Sequence, residues 1–598
     1  MRKHLYIMIL LALLLSVTAT LAPGGSMSTA QAGVGDLVPL GDQLGDVGQY
    51  YSQVSPSMNS RVYVYNTASA SRTAVISIYQ DAPVNAAAYH TATCDIAANQ
   101  VLYLRMNDVV SGTLTIEGGT GAGCTAGTGK VYRSLHHMKI VQSGGGADLA
   151  VSVNTWTNPS VSPDLKQVSG AYQAVPSSAV ASEYVLPAVL LGRTTGWDTE
   201  IVVQNVSGVT TTVTFDVSPD SGGWFNNNVA TLNPNERRVF LASQLLYAPA
   251  GGGTLEQKDG WAWMKLRAFH ATNYTPQNVA VTINMFKQGL TDGKYRAEYG
   301  SERLMQFEAP LAGTELLIPG FKVDGTNSYF RVANASTWTT NITAKLYNSS
   351  GSQVGSTYTD SVNNQKAKSF AGNVFGAASG TYTLRIQSTY NVTAAAWYSS
   401  GGGHTGVTAQ RVGDTDGTGT YLPFYWENHY GWQDEAQYSN TSGSGVYTGS
   451  LYKRSDGSFL SNWVFWPWGQ YAQASTSFSG YNNELYAKLL GAYPLAVGRF
   501  ENYSTTSDRI LSYNGIAKKA GTWYVPFAPA PVVTFVDSSH IFKGTSGNPT
   551  AWNGTLGDAD TDDYVFYNWD KYNTQRANCN VASGISMHKY AHSQVCSQ

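Results

Sequence analysis

The residues of this chain best suited to chemistry fall into three kinds of cluster. Four cysteines form two local pairs, Cys94/Cys124 and Cys579/Cys596. An even set in an exported chain pairs as disulfides, and loops of this size each contribute roughly 3 kcal/mol by constraining the unfolded chain. The second pair has a rival reading. His588, His592 and Cys596 recur every fourth residue, one face of a helix, and with Cys579 they would complete a Cys2His2 zinc set. An oxidising destination favours the disulfide. Aspartates at alternate positions are the second kind: Asp558, Asp560 and Asp562 in GDADTDDY, and Asp414 and Asp416 in GDTDGTG. Such carboxylates converge on calcium, although Asp563 stands where an EF-hand loop needs glycine. A solvated acidic turn is the plainer account. The third kind is the aromatic run NWVFWPWGQY, with Trp463, Trp466, Trp468 and Tyr471 as candidates for contact with a glycan or a neighbouring subunit. Strand alternation places residue 463 on one face and 466 and 468 on the other, so one face belongs to a core.

No G-x-S-x-G, H-E-x-x-H, P-loop or dinucleotide fingerprint occurs. The expectation is therefore a protein without catalytic residues. A hydrolase hidden in one unit would need two carboxylates facing one cleft.

The elements that must position these residues repeat. Twelve-residue windows of one cast recur as SMNSRVYVYNTA (57–68), GWDTEIVVQNVS (196–207), GTNSYFRVANAS (325–336) and GWQDEAQYSNTS (431–442), each with Asn at its tenth place: Asn66, Asn205, Asn334 and Asn440. Alternating β-branched and aromatic residues bounded by turn residues read as strands. A Pro-led strand precedes each window. The Asn follows Pro187, Pro319 and Pro423 by 15 to 18 residues, but follows Pro39 by 27. A second strand comes after each window (TAVISIY, TTVTFDV, NITAKLY, VYTGSLY), and LNPNERRVF, VNNQKAKSF and FWPWGQYAQ correspond further on. WYVPF, at Pro526, begins the pattern a fifth time. Helical spacing is confined to NNELYAKLLGAY (482–493) and the tail from Asp563. The repeated Asn reads as a strand-end residue that tolerates a left-handed turn. Asn205, Asn334 and Asn440 also open N-x-Ser sequons, which predict surface turns open to glycosylation.

Arg2 and Lys3, the run LYIMILLALLL and the site Ala30-Gln31-Ala32 read as a secretory signal cleaved after Ala32, or earlier near Ala22. The apolar run is too short to span a bilayer, and no later segment is apolar enough. Charged residues make up 13 % of the chain, against about 25 % in typical domains, and 37 basic residues face 39 acidic ones. That balance gives no electrostatic case for nucleic acid. The length implies several domains. The expected class is all-β: tandem immunoglobulin-like β-sandwiches in series with a short irregular or partly helical C-terminal segment. The expected divisions are a signal at 1–32, a divergent sandwich at 33–180, sandwiches at 181–312, 313–416 and 417–520, and an incomplete repeat at 521–598.

Pro-led units with W-x-T-x-I-x-V-x-N-x-S strands resemble the Ig-like repeats of bacterial cell-surface and S-layer-type proteins. The resemblance covers most of residues 37–520, and the first unit departs from it in its Pro-to-Asn gap and its insertion GGTGAGCTAGTG. It implies a secreted, surface-associated, non-enzymatic structural protein that self-associates or contacts cell wall or glycan. A carbohydrate-binding adhesin is the alternative. The strand-like VVTFV (532–536) cannot bury its own face. It is expected to add to the fourth unit or to a neighbouring chain, with calcium at Asp558, Asp560 and Asp562 setting assembly.

Overall fold

The computed structural model describes residues 48–49 and most of residues 58–529. The chain is almost wholly antiparallel sheet, and the described residues contain one single-turn α-helix, Ala242–Leu245, and one 3-10 turn, Gly372–Phe375. The main strands fall into four units. The first has β1 (Met58–Asn66), β2 (Arg72–Gln80), β3 (His90–Ile96), β4 (Val101–Asp108), β5 (Leu135–Gln142), β6 (Leu149–Thr157) and β7 (Ser169–Gln173). The second has β8 (Glu183–Leu191), β9 (Trp197–Asn205), β10 (Thr211–Pro219), β11 (Phe225–Leu232), β12 (Arg237–Leu241), β13 (Gly260–His270), β14 (Val279–Gln288) and β15 (Ser301–Glu308). The third has β16 (Gly313–Val323), β17 (Ser328–Asn334), β18 (Thr340–Tyr347), β19 (Gln353–Val362), β20 (Ala367–Ala371), the long β21 (Gly380–Ser400) and β22 (Gly403–Thr408). The fourth has β23 (Gly419–Glu427), β24 (Trp432–Asn440), β25 (Tyr447–Lys453), β26 (Phe459–Phe465), β27 (Gln473–Thr476), β28 (Asn483–Leu490), β29 (Pro494–Asn502) and β30 (Arg509–Asn514); β31 (Thr522–Pro529) follows.

Each unit folds its strands into two sheets that share one apolar core. The second unit has the orders β8-β13-β10-β11 and β12-β9-β14-β15, with Leu186, Val213 and Phe215 of one sheet packed on Ile201, Phe240 and Ile283 of the other. The fourth unit repeats this as β23-β28-β25-β26 and β27-β24-β29-β30. In the third, β21 serves both sheets: its first half lies between β16 and β18, its second half between β17 and β22. The run NNELYAKLLGAY contributes a strand, β28, rather than a helix. It is held between β23 and β25, so pairing on both sides overrides the helical spacing.

The first unit has the sheet β4-β1-β6-β7 and, facing it, β31-β5-β2-β3. The Pro-led position, filled in the other units by β8, β16 and β23, is filled here by β31 from the opposite end of the described chain. Its partner is β5, with Trp523 opposite Ile140, Tyr524 opposite Lys139 and Val525 opposite Met138. This corrects the expected boundary at residue 521. Pro526 opens no fifth unit; it supplies the missing first strand of unit one. The 27-residue gap from Pro39 has the same cause, since Pro526 is the structural counterpart of Pro187, Pro319 and Pro423. Trp523, Val525 and Phe527 are fully buried. The Trp523 indole N–H donates to the Leu149 and Ala520 carbonyls, Tyr172 donates to the Phe527 carbonyl, and Ser60 to that of Pro529. VVTFV lies outside the described residues.

The closure makes a ring. In every unit the sheet with the Pro-led strand packs on the Asn-strand sheet of the next. Val185 and Trp263 meet Ala333 and Ala367 between units two and three, and Leu317 meets Tyr471 and Leu495 between three and four. Phe424 stacks on Tyr63, and Tyr486 packs on Tyr65, between four and one. Tyr524 of β31 packs with Ala280 between one and two. At the centre, β15 lies against β7 and β22, and β30 lies against the same two strands, so four strands surround one axis.

Candidate functional site

The four central strands end at equivalent residues, one per unit: Gln173, Glu308, Thr408 and Asn514, each followed by Ala or Gly. They converge on Glu308. Its Oε1 accepts from Thr408 Oγ1 at 2.6 Å and from Asn514 Nδ2 at 2.7 Å, and the Gln173 backbone also donates to the carboxylate. Units one, three and four therefore hydrogen-bond to one side chain of unit two. Asn514 Nδ2 also reaches the Thr408 carbonyl at 3.0 Å, and Gln410 Nε2 donates to Asn514 Oδ1 at 3.1 Å. Burial raises the Glu308 carboxyl above its ordinary range, and these donors act in the opposite direction. Beside the quartet is a cavity of about 80 Å³ that also includes Arg411, Asp414 and Lys518. It has room for a few waters. The quartet's geometry is that of a keystone. Glu308 is hydrogen-bonded into all three of the other units.

The sequence candidates are distributed elsewhere. Cys94 and Cys124 form a disulfide in the first unit. Cys579, Cys596, Asp558, Asp560, Asp562, Asp416, Trp466 and Trp468 lie outside the described residues. Asp414 is paired with cations of the protein itself: Arg411 reaches one oxygen at 3.0 Å and Lys518 the other at 3.4 Å. Among the described residues no three His, Cys, Asp or Glu side chains gather in a way that would hold a metal.

Trp463 and Tyr471 do not form an exposed platform. The Trp463 ring lies over Gly449, where a Cβ would overlap it. Tyr471 is buried between units, donating to Glu315 Oε1 at 2.7 Å with Arg385 over its ring.

Asn205, Asn334 and Asn440 correct the surface-turn expectation, because all three are buried, as is Asn66. Asn205 Nδ2 donates to the carbonyls of Val209, Leu232 and Asn233 at 2.8–3.1 Å, and its Oδ1 accepts the Ser207 N–H. Asn66 repeats this with Ala70, Ile96 and Ala97, and Asn334 with Trp338 and Val362. In Asn440 the Nδ2 contact to Gly469 is longer, 3.4 Å, and Tyr447 donates to Oδ1. Nδ2 is the atom a glycan would occupy, so the fold leaves no room for one there. Left-handed backbone falls instead on Asn99, Asn235, Gln365 and Tyr471, which stand one per unit in the turn before the fifth strand, and, outside that turn, on Tyr274. That turn returns a carbonyl (Gln100, Glu236, Lys366, Ala472) to the N–H of the clamping Asn.

Sequence reasoning missed the axial quartet because its four members differ in type. The one available signal is positional, a polar residue followed by Ala or Gly at the end of each closing strand. Comparison of the chain with protein-family models and with curated proteins gave no match.

Proposed function

We propose that this protein is a secreted, non-enzymatic structural component of a cell surface, an S-layer, sheath or filament block. The observation that carries the reading is the closed ring: all four units, and the polar groups at the axis, are engaged in holding one another. Within each unit the second strand pairs with the fifth and the third with the sixth, as in immunoglobulin-like domains. The first strand, however, lies beside the sixth and the seventh beside the second, which exchanges the two edges. A ring of this kind is a rigid block, and its units are not free to act as beads on a string. Calcium at Asp558, Asp560 and Asp562 belongs to the same reading as a regulator of assembly. Electron microscopy of the native surface with this protein labelled tests it. An ordered array bearing the label is expected, and label found only in the medium would overturn the reading.

Carbohydrate binding is the second reading. It is favoured by Trp338 and Tyr390, 67 % and 45 % exposed, in one unit. Their neighbourhood is marked by the Tyr390 N–H, which donates to Thr340 Oγ1. Exposed aromatic rings stack on sugars, and a glycan array showing sub-micromolar binding that is lost in Trp338→Ala would favour this reading over the first.

A further inference from the structure

The four segments that lead onward from the units meet at one end of the ring, beside the axial quartet, and enclose the cavity of about 80 Å³ there. Pro176 and Ala179 stand in the first of them, Pro310 in the second, Arg411 and Asp414 in the third, and Lys518 in the last, which leads to β31. The charges are therefore gathered on two of the four walls, and the other two walls are largely apolar. Apolar surroundings keep the local dielectric low and strengthen any charge pairing inside.

Both cations are held in place by their backbones. Gln410 and Arg411 pair with Leu317 and Leu316 of β16, and the stem of Arg411 lies on Gly313, where a Cβ would stand 3.1 Å from its Cγ and Cδ. Lys518 lies between two pinned residues: Ile516 exchanges hydrogen bonds with Tyr421, and Ala520 with Leu149. Their own donors are mostly unspent. A guanidinium offers five N–H groups and an ammonium three. The Arg411 side chain places one on Asp414 at 3.0 Å, Lys518 places one there at 3.4 Å, and among the described residues neither side chain makes another hydrogen bond. Arg411 Nε is buried without a partner. Two cations thus share one carboxylate, which leaves a positive charge uncompensated on these walls. The second carboxyl, Glu308, is engaged with its axial donors, and burial favours its neutral form. With Arg411 35 % and Lys518 43 % exposed, both are reached from solvent.

We propose that this mouth of the ring axis binds a carboxylate, clasped by the Arg411 guanidinium on one side and the Lys518 ammonium on the other. A single uncompensated positive charge matches a monoanion, and the planar carboxylate matches the fork of a guanidinium. The cavity takes the carboxylate group itself in place of a few waters, and the rest of the bearer extends outward. A small free acid and the acid group of a sugar share this chemistry. Once bound, the carboxylate ties unit three to the segment that closes the ring. The site goes beyond the structural role and does not depend on it.

The experiment is a saturation-transfer NMR titration of the full mature chain with sodium acetate and with sodium D-glucuronate. Sodium chloride holds the ionic strength constant, D-glucose is the neutral counterpart, and circular dichroism confirms that each variant is folded. Binding of a carboxylate in the millimolar range is expected, with none of D-glucose. The affinity should fall about tenfold or more in Lys518→Gln and rise in Asp414→Asn, which removes the carboxylate that competes for both cations. Acetate bound with D-glucuronate excluded marks a free small acid as the source, and D-glucuronate bound the more tightly marks an acidic sugar. The proposal is overturned if neither carboxylate binds, if D-glucose binds equally, if Lys518→Gln leaves the affinity unchanged, or if Asp414→Asn binds no more tightly.

Discussion

A buried asparagine that ties a strand end to two other segments differs physically from an asparagine that merely permits a turn. Asn334 spends its Nδ2 on the Trp338 and Val362 carbonyls and its Oδ1 on Ser336. Asn334→Asp keeps the shape and loses the donors, so it should destabilise the chain by about 2 kcal/mol, and Asn334→Ala by at least as much; urea denaturation followed by tryptophan fluorescence measures this. In a glycosylating host, glycans should appear at the exposed sequons of Asn273, Asn341 and Asn391 and be absent from Asn205, Asn334 and Asn440 in folded protein, as mass spectrometry of the peptides would show. Two buried titrating groups give opposite pH dependences. Burial raises Asp198 to about 7 from an ordinary 3.8, although the Thr199 and Ser243 N–H groups bind its carboxylate. Its contribution is therefore fully present below pH 3.8 and is lost as pH rises through 7. His137, buried and donating to the Asn235 carbonyl, is lowered from 6.5 to about 4; its contribution is present above 6.5 and is lost as pH falls through 4. Asp198→Asn should accordingly remove a fall in melting temperature between pH 4 and 7, and calorimetry across that range reads it.

At the scale of the element, β31 decides how the first unit folds. A chain ending at residue 520 loses Trp523, Val525 and Phe527 from the core and leaves β5 without its neighbour, whereas a chain ending at residue 530 keeps them. Removing three large core side chains exceeds the few kcal/mol each costs singly. The shorter chain should therefore expose its first unit to limited proteolysis, and the longer one should resist like the parent. Much of this architecture is legible in sequence. Alternation in NITAKLY becomes the alternating burial of β18, and the runs at Pro187, Pro319, Pro423 and Pro526 and the four Asn windows become strands, while Pro39 lies outside the described residues. Two things were not legible. AANQVLYL of unit one performs the same turn and fifth strand as LNPNERRVF, with Asn99 left-handed like Asn235, but its sequence is too different to match by eye. The pairing of β31 with β5 joins segments nearly four hundred residues apart, and periodicity, a local property, carries no information about which distant edge a strand will fill.

At the scale of the whole molecule, ring closure and the axial quartet support each other. Glu308 is a point where units one, three and four all bind unit two, so Glu308→Ala removes an acceptor shared by buried donors of three units. A loss of about 3 kcal/mol follows from breaking such a network, with the melting temperature as readout. Ring closure itself is tested most directly by the pair Lys139→Cys and Tyr524→Cys, which face each other across β5 and β31. Antiparallel neighbours hold their Cα atoms about 4.5–5.5 Å apart, within the reach of a disulfide. After oxidation, non-reducing peptide mapping of the monomer should yield a peptide joining residues 139 and 524 of one chain. A monomer in which both engineered thiols remain free would contradict the ring.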